Sequence, residues 1–418
     1  MEIKREFYLN KLVSHQNNGF IKIISGIRRC GKSYLLFELF KNYLKKIGVS
    51  EEHIISIALD DRRYKEYLDP DNTFNFVTSS MKDDKMYYLL LDEVQLMNDF
   101  ENVLNSFLHI KNLDVYVTGS NSRFLSTDIV TEFRGRGDEI RVYPLSFSEY
   151  YSALNVEYSI AIDSYFTYGG MPALFKFNSD EEKGAYLDQL FNLTYIRDVI
   201  DRNGIKNEIQ FGELVDIIAS SIGSLTNPKK LSDTFQSVQK SKISEATIKQ
   251  YIKYLEEAFL IDKVLRYDIK GKRYLSSPFK CYFADVGLRN SRLNFRQIEY
   301  PHIMENLIYN ELVMRGFKVD VGNIEVREKN EASNIYTRRL NEVDFVINKG
   351  AKRYYIQSAY SIDSIEKKMQ EEKSLNAIKD SFKKIIIIKD TIIPRYENSG
   401  ILILGLKDFL LNPASLDF

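Results

Sequence analysis

The sequence predicts an α/β protein: a parallel sheet with crossover helices at the amino-terminal side, a helical stretch, a winged helix-turn-helix and a second α/β domain. Three observations predict it. Over residues 1–150 short apolar runs alternate with helical stretches, the pattern of βαβ units whose sheet is covered on both faces. Over residues 206–290 three helical stretches precede two strand-like runs around a basic turn, the element order of a winged helix-turn-helix. From residue 291 onward strands and helices alternate again. At roughly 100–200 residues per domain, 418 residues suggest two to four domains, with boundaries expected near 150, 205 and 290.

The apolar runs of the first block cover residues 20–25, 54–60, 87–92, 113–118 and 139–143, and helical stretches are read at 32–45, 72–81 and 98–110. Pro144 ends the block, because proline cannot continue a central strand. Residues 151–205 read as a small helical domain, broken at Tyr168-Gly169-Gly170-Met171-Pro172. In the next block Asn227-Pro228 opens one helix with proline near its first position, and Ser244-Glu245-Ala246-Thr247 caps another. Along that second helix Ile248, Ile252, Leu255 and Phe259 fall on one face.

Bulk composition excludes several classes. Lys plus Arg and Asp plus Glu both number 58, so the whole chain is not an electrostatic nucleic-acid binder and any such role needs a local patch. The two cysteines, Cys30 and Cys281, fit a reducing cytoplasm and give no disulfide framework. The charged first residues do not read as a secretory signal, and no apolar run approaches the ~18 residues of a spanning helix. A cytoplasmic protein with no membrane partner is expected. The four scattered histidines, His15, His53, His109 and His302, make no zinc constellation.

The strongest chemical signal is Gly26-Ile27-Arg28-Arg29-Cys30-Gly31-Lys32-Ser33, directly after the first strand and opening a helix. This G-x-x-x-x-G-K-S turn wraps phosphates with backbone N–H groups and aims a helix dipole at them. The expected ligand is ATP with Mg²⁺: Lys32 reaches the β and γ phosphates and the Ser33 hydroxyl ligates the metal. Gly26, Arg28, Arg29, Cys30, Gly31 and Tyr34 complete the expected cradle. Cys30 reads either as a small filler or as a thiol at a helix start.

Sixty residues later the buried run Tyr87-Tyr88-Leu89-Leu90-Leu91 ends in Asp92-Glu93. Opposite a P-loop, Asp92 would hold Mg²⁺ and Glu93 would polarise an attacking water. The next strand ends in Thr118-Gly119-Ser120-Asn121-Ser122, where Ser120 or Asn121 would contact the γ-phosphate, or simply form a polar turn. In Phe133-Arg134-Gly135-Arg136-Gly137 an arginine would act in trans on a neighbouring subunit's ATP, or be a solvated surface arginine.

The segments 26–33, 89–95 (LLLDEVQ), 117–122 (VTGSNS) and 136–150 (RGDEIRVYPLSFSEY), with Tyr168 through Pro172, resemble a large prokaryotic family of AAA+ ATPases. The resemblance spans essentially the whole chain. It implies ATP hydrolysis, an AAA+ core with a helical lid, ring-like homo-oligomers and a carboxy-terminal domain of unknown function. It also implies an arginine finger at Arg136; no residue matches a second-sensor arginine.

Helix 244–257 would be the recognition helix and residues 270–273 the wing tip, with Lys229, Lys230, Lys240, Lys242, Lys249 and Lys253 nearby. Such a surface suits DNA phosphates, while Glu256 and Glu257 and the docking use of winged helices suit a protein partner. The last domain resembles the restriction-endonuclease-like, PD-(D/E)XK fold, through Glu305, Asp344 and the strand carrying Gln357-Ser358-Ala359. Gln357 stands where an acid belongs and Ala359 where a lysine belongs, so nuclease chemistry is not expected. Three functions follow: an AAA+ ATPase coupled to DNA or protein contact, an ATP-dependent nuclease of a defence or mobile-element system, or a nucleotide-gated assembly switch without catalysis.

Overall fold

The computed structural model describes residues 3–120, 135–238, 242–296, 298–329 and 336–418. The chain divides into two compact units. The first holds Met1–Leu145 with Met171–Ala173 and Glu257–Phe259; the second holds Ser146–Gly170, Leu174–Glu256 and Leu260–Phe418. No described helix is long and apolar enough to cross a membrane.

In the first unit, helix α1 (Glu6–Ser14) precedes strand β1 (Ile21–Ser25), and the phosphate-loop motif leads into α2 over residues 32–46. Strands β2 (Ile54–Ala58), β3 (Tyr87–Asp92), β4 (Leu113–Thr118) and β5 (Gly137–Arg141) follow, with α3 (Pro70–Ser80) and α4 (Phe100–Phe107) between them. The described strands form one sheet of order β2-β3-β4-β1-β5, parallel at every pairing. β1, β3 and β4 are buried at every position, which is why they read as continuous apolar runs. Asp69 caps α3 by accepting from the Asn72 N–H at 3.0 Å. Val77 on α3 and Val103, Leu104 and Phe107 on α4 join Leu89, Leu91, Val115 and Val117 in one apolar core.

The second unit opens with α5 (Phe147–Ser152), which carries a complete capping box from Ser146 and Glu149. Helix α6 (Tyr158–Tyr168), a long helix α7 over residues 180–203 and α8 (Glu208–Ser220) follow. Next come α9 (Pro228–Val238) and α10 (Glu245–Glu257), then the antiparallel hairpin of β6 (Ile261–Asp268) and β7 (Arg273–Phe283). Ile248, Tyr251, Ile252 and Leu255 are the buried stripe of α10, whereas Phe259 lies past its end. The helix α11 (Val286–Arg292) is capped by Asp285. That buried carboxylate accepts from the Leu288 N–H at 3.0 Å and from the Gly170 N–H at 2.7 Å. The glycine pair after α6 thus ties to the start of α11.

Helix α12 (Tyr300–Met314) is buried along nearly its whole length. Strands β8 (Lys318–Lys329), β9 (Tyr336–Lys349) and β10 (Lys352–Ala359), helix α13 (Ile365–Ala377), strands β11 (Lys383–Ile388), β12 (Arg395–Tyr396) and β13 (Leu402–Gly405) and helix α14 (Leu406–Leu411) complete the chain. The sheet order is β12-β13-β11-β10-β9-β8-β6-β7. The hairpin after α10 is therefore no isolated wing: β6 pairs in parallel with β8 from Arg266↔Val321 to Asp268↔Asn323.

Candidate nucleotide site

The site grows from the carboxyl ends of β1, β3 and β4, which are neighbours in the order β3-β4-β1. After Ser25 the backbone turns through Gly26 (φ 139°), Arg29 (φ 61°) and Gly31 (φ 102°). A Cβ on Gly26 would stand 2.1 Å from the Val142 carbonyl oxygen, so only glycine fits there. Lys32 is buried, and its ammonium donates to the carbonyls of Gly26 at 2.9 Å and Ile27 at 3.1 Å. The cation is thereby stored inside the loop. Cys30 is buried with its Sγ 3.4 Å from the Val142 oxygen, the geometry of a packed side chain. Arg29 and Ser33 are exposed, and Arg28 and Tyr34 are half-buried.

Asp92 closes β3 in a buried position. The Thr118 hydroxyl donates to Asp92 and accepts from the Glu93 N–H at 3.0 Å, so one threonine fixes both acidic residues. Burial pushes the Asp92 carboxyl above its ordinary range, hydrogen bonds from Thr118 and Ser33 oppose that, and the Glu93 charge adds to it. The Ser33 hydroxyl therefore lies beside the Asp92 carboxylate. Glu93 sits at φ 52°, a left-handed conformation costing a non-glycine residue about 1 kcal/mol. Its carboxylate accepts from the Ser120 hydroxyl at 3.0 Å and from the Gln95 amide. Ser120 reaches this point because β4 continues beside β1, the Gly119 N–H donating to Ile24 at 3.1 Å.

The structure thus brings Lys32, Ser33, Asp92, Glu93 and Ser120 together, and Arg28 approaches through Nε at 3.4 Å from the Ser120 hydroxyl. Arg136 is elsewhere. It is exposed, and its carbonyl accepts from the Ile21 N–H at 2.9 Å, at the opposite end of β1 from the loop. Five strand residues separate the two ends, roughly 15 Å. Asn121, Ser122, Phe133, Arg134 and Lys240 lie outside the described residues.

Two loop-bracing residues escaped the sequence reading. The buried Arg5 guanidinium donates to the carbonyls of Cys30 at 2.7 Å and Tyr143 at 2.8 Å and lies over the Tyr8 ring. Pro172 of the Y-G-G-x-P segment comes within 3.9 Å of where a Gly31 Cβ would stand. A lone arginine before a helix and a proline 140 residues away carry no local signal.

Residues 18–151 match an AAA domain, and residues 160–299 match a domain of unknown function (DUF8612). An uncharacterized protein of Haemophilus influenzae is 32% identical over 416 residues, covering 98% of each chain. The chain belongs to that protein's family. An uncharacterized protein of Methanocaldococcus jannaschii is 28% identical over 86% of this chain and 79% of its own. A solved structure of the Aeropyrum pernix ORC1 protein in complex with DNA shares 10% identity, with a TM-score of 0.31, over 70% of this chain and 93% of that one. The amino-terminal unit is an AAA+ type P-loop domain with a parallel sheet, a fold that binds nucleotide.

A second polar cluster lies in the other unit. Glu305 on α12, Asp344 on β9 and Gln357 on β10, named from the sequence, do converge: the Asp344 N–H points to Gln357 Oε1 at 3.4 Å, and the Ser358 N–H donates to Asp344 Oδ2 at 2.8 Å. Lys280 and Tyr282 on β7 also enter it, the Tyr282 hydroxyl donating to Glu305 Oε1 at 2.5 Å. Ala359 is buried and non-polar.

Proposed function

We propose that the chain is an Mg²⁺-dependent ATPase whose nucleotide state governs contacts of its carboxy-terminal region with DNA or a protein partner. The observation that carries this reading is the convergence of Lys32, Ser33, Asp92, Glu93 and Ser120 at the ends of three adjacent strands. The Ser33 hydroxyl and Asp92 carboxylate are hard oxygen donors that lie beside each other, a pair that suits Mg²⁺ with water and phosphate completing its shell. Mg²⁺, when bound, would neutralise phosphate charge.

The chain's own groups would do the rest. Lys32 would exchange the carbonyls of Gly26 and Ile27 for phosphate oxygens. Gly26, Arg28, Arg29, Cys30, Gly31 and Tyr34 would line the phosphates, chiefly through backbone N–H groups. Glu93 would take a proton from the attacking water, and Ser120, with Asn121 beside it in sequence, would orient that water and the γ-phosphate. Arg136 stands far from its own loop, so any finger role would be across an interface in a ring-like homo-oligomer.

Within the domain scheme 1–150, 151–205, 206–290 and 291–418, the third segment would serve as a winged helix. Its exposed Lys229, Lys230, Lys242, Lys249 and Lys253 suit loose phosphate contact. The last would be a PD-(D/E)XK-like domain without nuclease chemistry. The test is ATPase rate with and without duplex DNA, single-stranded DNA and RNA, read with mass in solution. Stimulation by one polymer selects the partner, and an unchanged rate in Lys32→Ala would sink the ATPase reading.

A further inference from the structure

The cluster around Lys280 carries an inference that the nucleotide site does not. Lys280 is buried on β7, and its ammonium meets three carboxylates: Glu342 Oε1 at 2.6 Å, Glu305 Oε1 at 2.8 Å and Asp344 Oδ1 at 3.6 Å. Glu305 comes from α12, and Glu342 and Asp344 come from one strand, β9. The closer distances are those of an ammonium donating to carboxylates; a divalent metal would draw oxygens to roughly 2.0–2.6 Å.

The charges explain why a cation must be there. Two buried carboxylates, Glu305 and Asp344, with the half-buried Glu342 beside them, would repel each other without one in a poorly solvated space. Burial and the Glu305 charge raise the Asp344 carboxyl well above the ordinary range, while Lys280 opposes that. Meanwhile the acid and lysine expected on β10 are Gln357 and Ala359, so among the described residues the ammonium at the centre arrives from another strand.

We infer that Lys280 is the resident cation of the Glu305–Glu342–Asp344 centre, occupying the place a divalent metal would take and closing it to metal. Lys280 is then a filling group, not a reacting one. The inference is independent of ATP hydrolysis, and its test is run without nucleotide.

The experiment measures Mn²⁺ binding by electron paramagnetic resonance in the full chain, in an Asp92→Asn background so that the amino-terminal site takes none. The parent and Lys280→Arg are expected to hold no Mn²⁺ at the centre. Lys280→Met is expected to gain one Mn²⁺, weakened at least about tenfold by adding Glu305→Gln. Lys280→Gln gives the same reading should Lys280→Met fail to fold. Three results overturn the inference: Mn²⁺ binding by the parent that Glu305→Gln weakens, no gain of Mn²⁺ in a folded Lys280→Met or Lys280→Gln chain, or Mn²⁺-dependent DNA cleavage by the parent that Lys280→Met abolishes.

Discussion

The Arg5 guanidinium donates to the Cys30 carbonyl at 2.7 Å, so a residue at the start of the chain braces the phosphate loop from behind. Its second nitrogen reaches the carbonyl of Tyr143, just past β5. One buried cation therefore ties the loop after β1 to the chain leaving its neighbour. Truncating it leaves buried carbonyls without their donor. Arg5→Ala should cost roughly 2–4 kcal/mol in chemical denaturation. It should also raise the ATP concentration for half-saturation more than it lowers the maximal rate, with Arg5→Lys between the two.

Gly287 should be irreplaceable. A Cβ there would stand 1.9 Å from the Tyr168 oxygen and 2.2 Å from its carbonyl carbon, both backbone atoms that cannot rotate away. Gly287→Ala should destabilise the chain by roughly 3 kcal/mol or more in urea melts. Gly184, inside the helix Asp180–Gln189, is the contrast: its Cβ would meet only the Phe295 ring at 3.4 Å. Gly184→Ala should be neutral or stabilise by up to about 1 kcal/mol.

Asp285 gives a pH signature. Burial raises its carboxyl from 3.8 to about 6, against backbone N–H groups of Gly170, Leu288 and Gly287 that favour the charged form. A folded value above the unfolded one means the folded state binds the proton more tightly. The stability that this supplies is complete below the unfolded value and is lost as pH rises through about 6. Relative to Asp285→Asn, which does not titrate, the parent should lose about 3 kcal/mol between pH ~3.5 and ~7. Urea denaturation of both chains across that range checks the slope; parallel curves would contradict it.

Arg136 should act only across subunits. Its place at the far end of β1 predicts that Arg136→Ala keeps ATP affinity and loses turnover, by about 10³-fold if it is an arginine finger. Mixing Arg136→Ala with Glu93→Gln chains should restore activity, because each supplies what the other lacks. Full turnover by Arg136→Ala alone would assign Arg136 to the surface, and activity that stays absent in the mixture would contradict action across subunits.

Much of this was legible in the sequence, where local pattern and buried environment agree. β3 and β4 occupy the residues their apolar runs mark, 87–92 and 113–118, because both are buried at every position. Asp92 and Glu93 stand out as the charged end of such a run. In β8 the sequence marks a strand most clearly at Val319-Asp320-Val321, yet the strand runs from Lys318 to Lys329. Its second half alternates only briefly, through Ile324 and Val326, before the charged run Arg327-Glu328-Lys329, and is held by ladder pairing with β9, such as Glu325↔Leu340. Lys280 and Arg5 were illegible for another reason. Each looks like an ordinary charged residue until strands and helices distant in sequence close around it. The Gly170–Asp285 bond spans 115 positions, so the glycine pair could be seen as a break but its partner could not.

The most direct test of the account is single-turnover ATP hydrolysis by the parent and by Glu93→Gln, with ATP binding measured alongside. Glu93 is held by Ser120 at 3.0 Å and by Gln95, beside Asp92 and the phosphate loop. The account predicts that Glu93→Gln binds ATP as the parent does and hydrolyses it at least about 100-fold more slowly. Hydrolysis by Glu93→Gln at the parent's rate would contradict it.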